Sequence, residues 1–120
     1  MNEEFPLAPY TNKKTEALTV TEILHRGNFD PRMSVARVEL SGKNDKARNL
    51  EAGALYIVVE GEGQFILFGE KGEEDQVIKV KKGGSVFIEK GRWYQDSGKM
   101  TMYSICSPAF DAGKVEKAKD

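Results

Sequence analysis

Histidine and cysteine are almost absent from this 120-residue sequence, which contains one of each. The single cysteine, Cys106, cannot form a disulfide within the chain, and zinc sites built on cysteine need several thiolates at fixed spacing. The single histidine, His25, cannot build an imidazole-rich metal site alone. These scarcities exclude an internally disulfide-bonded scaffold and a Cys-rich zinc site.

The chain also lacks an excess of charge of either sign. Lysine and arginine number 18 against 19 aspartates and glutamates, which gives a formal net charge of −1. A nearly neutral protein has no general attraction for phosphate backbones. We therefore expect no nucleic acid partner.

Long apolar runs are missing as well. The longest, such as residues 54–59, are much shorter than the roughly 20 apolar residues of a membrane-spanning helix. The N-terminus shows neither the basic nor the apolar region of a secretory signal. We expect a cytoplasmic protein that does not associate with membranes.

The length of the chain and the change in composition along it predict one domain with two terminal extensions. Residues 1–16 are polar, contain Pro6 and Pro9, and are predicted to form an N-terminal arm. Residues 17–111 are predicted to form the folded barrel. Residues 112–120 are predicted to be a C-terminal tail, either as one frayed helical turn or as a disordered segment.

Short β-type runs fill the central segment. Apolar residues alternate with polar ones in 33–40, which is typical of a half-buried strand, and 55–60 is the strongest β pattern. Gly61-Glu62-Gly63 is predicted to form a tight hairpin turn, and 41–51 a polar loop. No segment has a helical period. The predicted strands are 17–24, 33–40, 55–60, 64–68, 76–80, 86–88 and 100–105, a set typical of a sandwich, jelly roll or barrel.

Two segments resemble the signatures of the cupin superfamily. The first is YIVVEGEG at 56–63, and the second is GGSVFIEKGRWY at 83–94. The flanks at 22–25 and 106–110 are similar to those of small bacterial and archaeal cupins. The resemblance implies an all-β, cupin-type double-stranded β-helix, that is, a jelly-roll barrel.

The same resemblance implies where a cupin would hold a metal. Metal-binding cupins carry a His-x-His pair, then a glutamate, and a later histidine. In this sequence these positions correspond to Arg48 and Leu50 (or Ala47 and Asn49 with a longer spacing), Ala54 and Tyr94. None of these residues offers an imidazole or a carboxylate, which divalent metals require. We therefore predict no bound metal and no cofactor.

Four residues are predicted to bind a ligand inside the barrel. Tyr56 lies two residues after Ala54 and shares its strand face, so its ring should point inward. Arg48 at a former ligand position would suit a carboxylate or phosphate. The predicted ligand-binding residues are Arg48, Tyr56, Gln64 and Tyr94. The structural alternatives are that the tyrosines fill the core and that Arg48 is solvated in a polar loop.

Two residues are candidates for catalysis. His25 could act as a general base because the histidine pKa lies near neutrality, and Tyr94 could act as a weak acid. The alternative for His25 is a packed or turn-capping role at the end of a strand.

Three functions fit this pattern. The leading hypothesis is a metal-independent cupin that binds a small molecule, an anion if Arg48 faces the cavity. The second is a metal-independent isomerase or epimerase acting on a sugar or sugar nucleotide. The third is a structural or partner-binding cupin with a filled cavity. Two structural features would distinguish these three functions: whether the cavity is open, and whether His25 faces it.

A homodimer is expected. Open sheet edges favour pairing with another chain, and a two-fold interface uses one patch twice. Phe5, Leu7 and Tyr10 give the arm apolar side chains without a regular pattern. We predict that the arm or the strand at 17–24 contacts the partner.

Overall fold

The computed structural model describes residues 10–13, 17–25 and 31–118. Within these ranges the regular structure consists of β-strands and one short 3-10 turn at Ala112–Lys114. The described residues include no helix that is long and apolar enough to cross a membrane. The strands are β1 Tyr10–Lys13, β2 Leu18–Leu24, β3 Ser34–Lys43, β4 Ala47–Asn49, β5 Gly53–Leu67, β6 Gln76–Lys81, β7 Ser85–Ile88, β8 Tyr94–Ser107 and β9 Val115–Lys117.

Two long strands organise the barrel. Strand β8 pairs antiparallel with β3 on one side and with β5 on the other, along almost its whole length. Strand β5 also pairs with β6 and β7, while β1 and β2 extend the sheet beyond β3. This curled antiparallel sheet confirms that the chain is all-β, as predicted.

The hairpin predicted at Gly61-Glu62-Gly63 is wrong. These residues lie inside the continuous strand β5, which passes from pairing with β7 to pairing with β6. A Cβ atom at Gly61 or Gly63 would collide with the carbonyl oxygens of Lys99 and Ser97 on β8. The glycines therefore permit close approach of the two strands, although Gly61 does adopt a φ of 78°.

The chain has more strand than the sequence predicts at three places. The predicted loop at 41–51 contains the end of β3 and all of β4. Strand β8 begins at Tyr94, six residues before the predicted start. Residues 112–117, expected as a frayed turn or disordered tail, form the 3-10 turn and β9, which pairs with β4. Most of the predicted arm lies outside the described residues, although 10–13 form β1.

The main core lies where β5 and β8 meet. Phe65, Met102 and Val58 are its largest fully buried apolar side chains. Even-numbered residues of β8 from Met100 to Cys106 are buried while their neighbours are more exposed, which is the alternation of a strand with one inner face. The inner face of β8 thus carries both the core and, at Tyr94, the site described next.

Candidate ligand-binding site

A cavity of about 530 Å³ opens into the barrel. Strands β2, β3, β4, β5, β7 and β8 and the C-terminal segment supply its wall, which is predominantly apolar. The volume lies within the usual range for small-molecule sites. The barrel interior is therefore open, as a ligand-binding function requires. Its polar lining residues are Glu22, His25, Ser34, Asn44, Asp45, Arg48, Asn49, Tyr56, Glu89, Tyr94, Asp96, Ser104 and Lys117.

Two tyrosines meet on the cavity wall. Tyr56 projects from β5 and Tyr94 from the first position of β8, and their hydroxyl oxygens lie 3.1 Å apart. The buried ring of Phe65 lies 5.2 Å from the Tyr56 ring and 6.4 Å from the Tyr94 ring, centroid to centroid. Packing on Phe65 fixes both hydroxyl groups in position.

Both tyrosine hydroxyls remain protonated at neutral pH. Burial raises the pKa of Tyr94 to about 12, and the nearby Asp96 carboxylate acts in the same direction. Burial and then the neighbouring Tyr94 raise the pKa of Tyr56 well above its ordinary value. The pair can donate and accept hydrogen bonds or give up a proton as a weak acid, but it cannot serve as a base.

Asp96 is a buried carboxylate that the sequence reasoning missed. It lines the cavity two residues after Tyr94, is 2 % exposed, and accepts a hydrogen bond of 3.1 Å from the Asn44 amide. Burial raises the pKa of Asp96, while the hydrogen bond from Asn44 opposes the shift. The period-2 relation to Tyr94 could have identified it, had β8 been predicted to begin at Tyr94.

Arg48 lies at the cavity, but its charge is paired. Its Nη2 atom lies 3.2 Å from both carboxylate oxygens of Glu116 on β9, and its guanidinium stacks 4.6 Å from the Trp93 ring centroid. Nearby, Lys117 pairs with Asp45 at 3.2 Å. Glu116 was missed because the C-terminal residues were expected to be a tail.

Gln64 lies away from the cavity. A register shift in β5 between Val58 and Glu60 changes which residues face inward. Ala54 and Val58 are buried before the shift, and Phe65 and Leu67 after it. Gln64 therefore lies in a shallow groove on the other face with Lys79 and Ser97. The prediction that Gln64 lines the ligand site does not fit this placement.

The remaining candidate side chain, His25, does line the cavity. His25 directly follows the last residue of β2 and contributes to the wall. Cys106 also lines it, and burial raises the pKa of its thiol, which makes it a weak nucleophile at neutral pH.

The residues at the positions where the cupin resemblance implies metal ligands do not fit a metal. Ala54 offers no donor atom, the Tyr94 hydroxyl is protonated, Arg48 is a cation and Leu50 is largely exposed. Within the described ranges, no group of three or more His, Cys, Asp or Glu residues is placed to hold a metal ion. The chemistry of this donor set does not suit a divalent cation.

No family profile matches the sequence, and no curated protein matches it. Solved structures do match. Streptomyces Pac13, described as a nucleoside dehydratase with a β-barrel, is 18% identical over 99% of this chain and 92% of its own, with a TM-score of 0.80. Pac13 variants with single histidine-to-glutamine or tyrosine-to-phenylalanine substitutions have been solved with uridine.

Two further matches are more distant in sequence. KdgF from Halomonas sp. is 12% identical over 85% of this chain and 90% of its own, with a TM-score of 0.68. Oxalate decarboxylase from Bacillus subtilis is 11% identical over 90% of this chain, which spans 29% of the enzyme, with a TM-score of 0.76. These similarities show that the chain has the cupin fold.

Proposed function

We propose that this protein binds a small molecule inside the barrel, against the Tyr56–Tyr94 hydroxyl pair, without a metal. The observation that carries the proposal is an open cavity whose wall carries two hydrogen-bonded tyrosines. Protonated hydroxyl groups on a predominantly apolar wall suit a ligand with a ring and a few polar atoms.

The comparison with Pac13 supports a ligand the size of a nucleoside or a sugar. Pac13 has been solved with uridine and shares this fold over nearly the whole chain. At 18% sequence identity, the shared fold does not by itself establish that this protein binds the same ligand. Uridine and related nucleosides and sugars are therefore the first compounds to test.

An acidic group on the ligand would bind at Arg48. Arg48 lines the cavity, and a guanidinium holds carboxylates and phosphates in a bidentate manner. The Glu116 carboxylate already forms an ion pair with Arg48, so an anionic group on the ligand would have to displace that carboxylate. The ligand screen therefore needs each compound with and without a phosphate or carboxylate group.

A second candidate function is a metal-independent enzyme acting on a sugar or nucleotide. The observation that favours it is that His25 and Tyr94 line the same cavity. A histidine base and a tyrosine acid on one cavity wall are the groups that proton-transfer chemistry requires. Turnover of a bound compound, abolished by His25→Gln with binding retained, would favour this candidate over a binding protein.

The proposed function predicts that binding survives metal removal. We expect untagged protein to contain much less than one equivalent of transition metal per chain. Calorimetric titration should give the same affinity before and after EDTA treatment. About one equivalent of manganese, iron, nickel or zinc, or binding that EDTA abolishes and a metal restores, would contradict the proposal.

We also propose a homodimer in the cytoplasm. Among the described strands, β1 forms one end of the sheet path and pairs with β2 alone, so its other edge is available to a second chain. We expect light scattering to give twice the chain mass of 13.4 kDa. Deleting residues 1–13 should weaken the dimer, whereas a monomer at micromolar concentration would contradict it.

A further inference from the structure

The inner part of the cavity has unused hydrogen-bonding capacity. One hydroxyl hydrogen joins Tyr56 to Tyr94, so the other remains available to a ligand. A carboxylate can accept about four hydrogen bonds, and among the described residues the Asp96 carboxylate is shown to accept one from the Asn44 side chain and one from its own backbone N–H. A donor and an acceptor for a ligand therefore lie together on the inner wall.

We propose that Asp96, held by Asn44, is the residue that selects the ligand, because its carboxylate accepts hydrogen bonds from the hydroxyl groups of a sugar or nucleoside. This inference rests on the proposed function and specifies the ligand class. Vicinal hydroxyl groups on a ring provide paired donors to one carboxylate, and the corresponding deoxy compounds lack one of these donors.

The local backbone does not need this carboxylate. The Asn44 backbone N–H donates to the Asp96 carbonyl oxygen at 2.9 Å, and the Gln95 amide donates to the Asn44 carbonyl oxygen at 2.8 Å. These two bonds hold the β3–β4 loop against β8 without the Asp96 side chain. An asparagine at position 96 could still accept the bond from Asn44, with no buried charge.

A buried carboxylate also lowers the stability of the folded protein at neutral pH. Burial raises the pKa of Asp96, so folding favours its protonated form. The stabilising contribution is present at acid pH and is lost as the pH rises through the folded pKa. A charge that costs stability and faces a cavity is more readily explained by ligand binding than by packing.

The test compares Asp96→Asn with the unaltered protein across matched ligands. Calorimetric titration would use uridine, 2′-deoxyuridine and 3′-deoxyuridine, together with glucose and 2-deoxyglucose. We expect the unaltered protein to prefer the hydroxylated member of at least one pair by roughly 10- to 100-fold. Asp96→Asn should lose most of that preference while binding the deoxy compound almost unchanged.

Thermal unfolding provides a second measurement that does not depend on the ligand. Asp96→Asn should melt at a higher temperature than the unaltered protein at pH 7, and the difference should shrink as the pH falls toward 4. Asp75→Asn is the matched control, since Asp75 lies in the β5–β6 hairpin outside the cavity lining. Its ligand preference should equal that of the unaltered protein.

The outcomes separate this inference from the proposed function. Equal loss of affinity for hydroxylated and deoxy compounds would overturn the inference, since it would assign Asp96 a purely structural role. Binding of only compounds without hydroxyl groups would overturn the inference and leave the proposed function intact. If the folded protein bound no compound from a broad metabolite screen, both would fail.

Discussion

Replacing Ala54 with phenylalanine should lower ligand affinity by at least about 100-fold, or ~3 kcal/mol, while the protein remains folded. Ala54 lies on the inner face of β5, between Ile88 on β7 and Cys106 on β8, and lines the cavity. A benzyl group there projects into the open volume that the ligand is proposed to occupy. Because that volume is open, the cost in folding stability should stay within about 1–3 kcal/mol.

Calorimetric titration of Ala54→Phe with the tightest ligand from the screen would measure this effect. Circular dichroism of the same sample would show whether the strands are intact. Val77→Phe is a suitable control because Val77 is 55% exposed on β6 and lies outside the cavity lining. Unchanged affinity in folded Ala54→Phe would place the ligand somewhere other than this cavity.

Truncating Phe65 to alanine should destabilise the protein by about 3–5 kcal/mol, a large part of the stability of an ordinary domain. Phe65 has no exposed surface and is among the largest fully buried side chains. Its removal leaves a void beneath Tyr56 and Tyr94, whose rings it contacts. Ligand affinity should also fall because the two hydroxyl groups lose their fixed positions.

Urea denaturation at constant pH would measure this loss. Phe87→Ala provides the comparison, since Phe87 is 62% exposed, and its cost should be about 1 kcal/mol or less. Equal losses for the two variants would mean that Phe65 does not anchor the core at the tyrosine pair.

The period of two in β5 predicted one part of the candidate site. Tyr56 lines the cavity because it shares a face with Ala54, as the period of two requires. The period of two could not have placed Gln64, because the register shift after Val58 reverses the facing of every later residue in β5. The residues of β5 alone do not indicate this register shift, because it arises from the pairing of β5 with β8.

Residues that depend on distant pairing could not be predicted at all. Gly61 and Gly63 suggested a turn, whereas their role is to let β5 approach β8, about 35 residues away in sequence. Glu116 meets Arg48 only because β9 pairs directly with β4, although the two residues are 68 positions apart in sequence. In an antiparallel barrel such contacts are fixed by register, which sequence-local reasoning does not determine.

The most direct test of metal-independent binding is a crystal structure of EDTA-treated protein with its tightest ligand. The account predicts ligand density in the cavity, with a polar ligand atom within hydrogen-bonding distance of the Tyr56 or Tyr94 hydroxyl and no metal ion between them. A ligand bound outside the barrel, or one held through a metal ion, would contradict it.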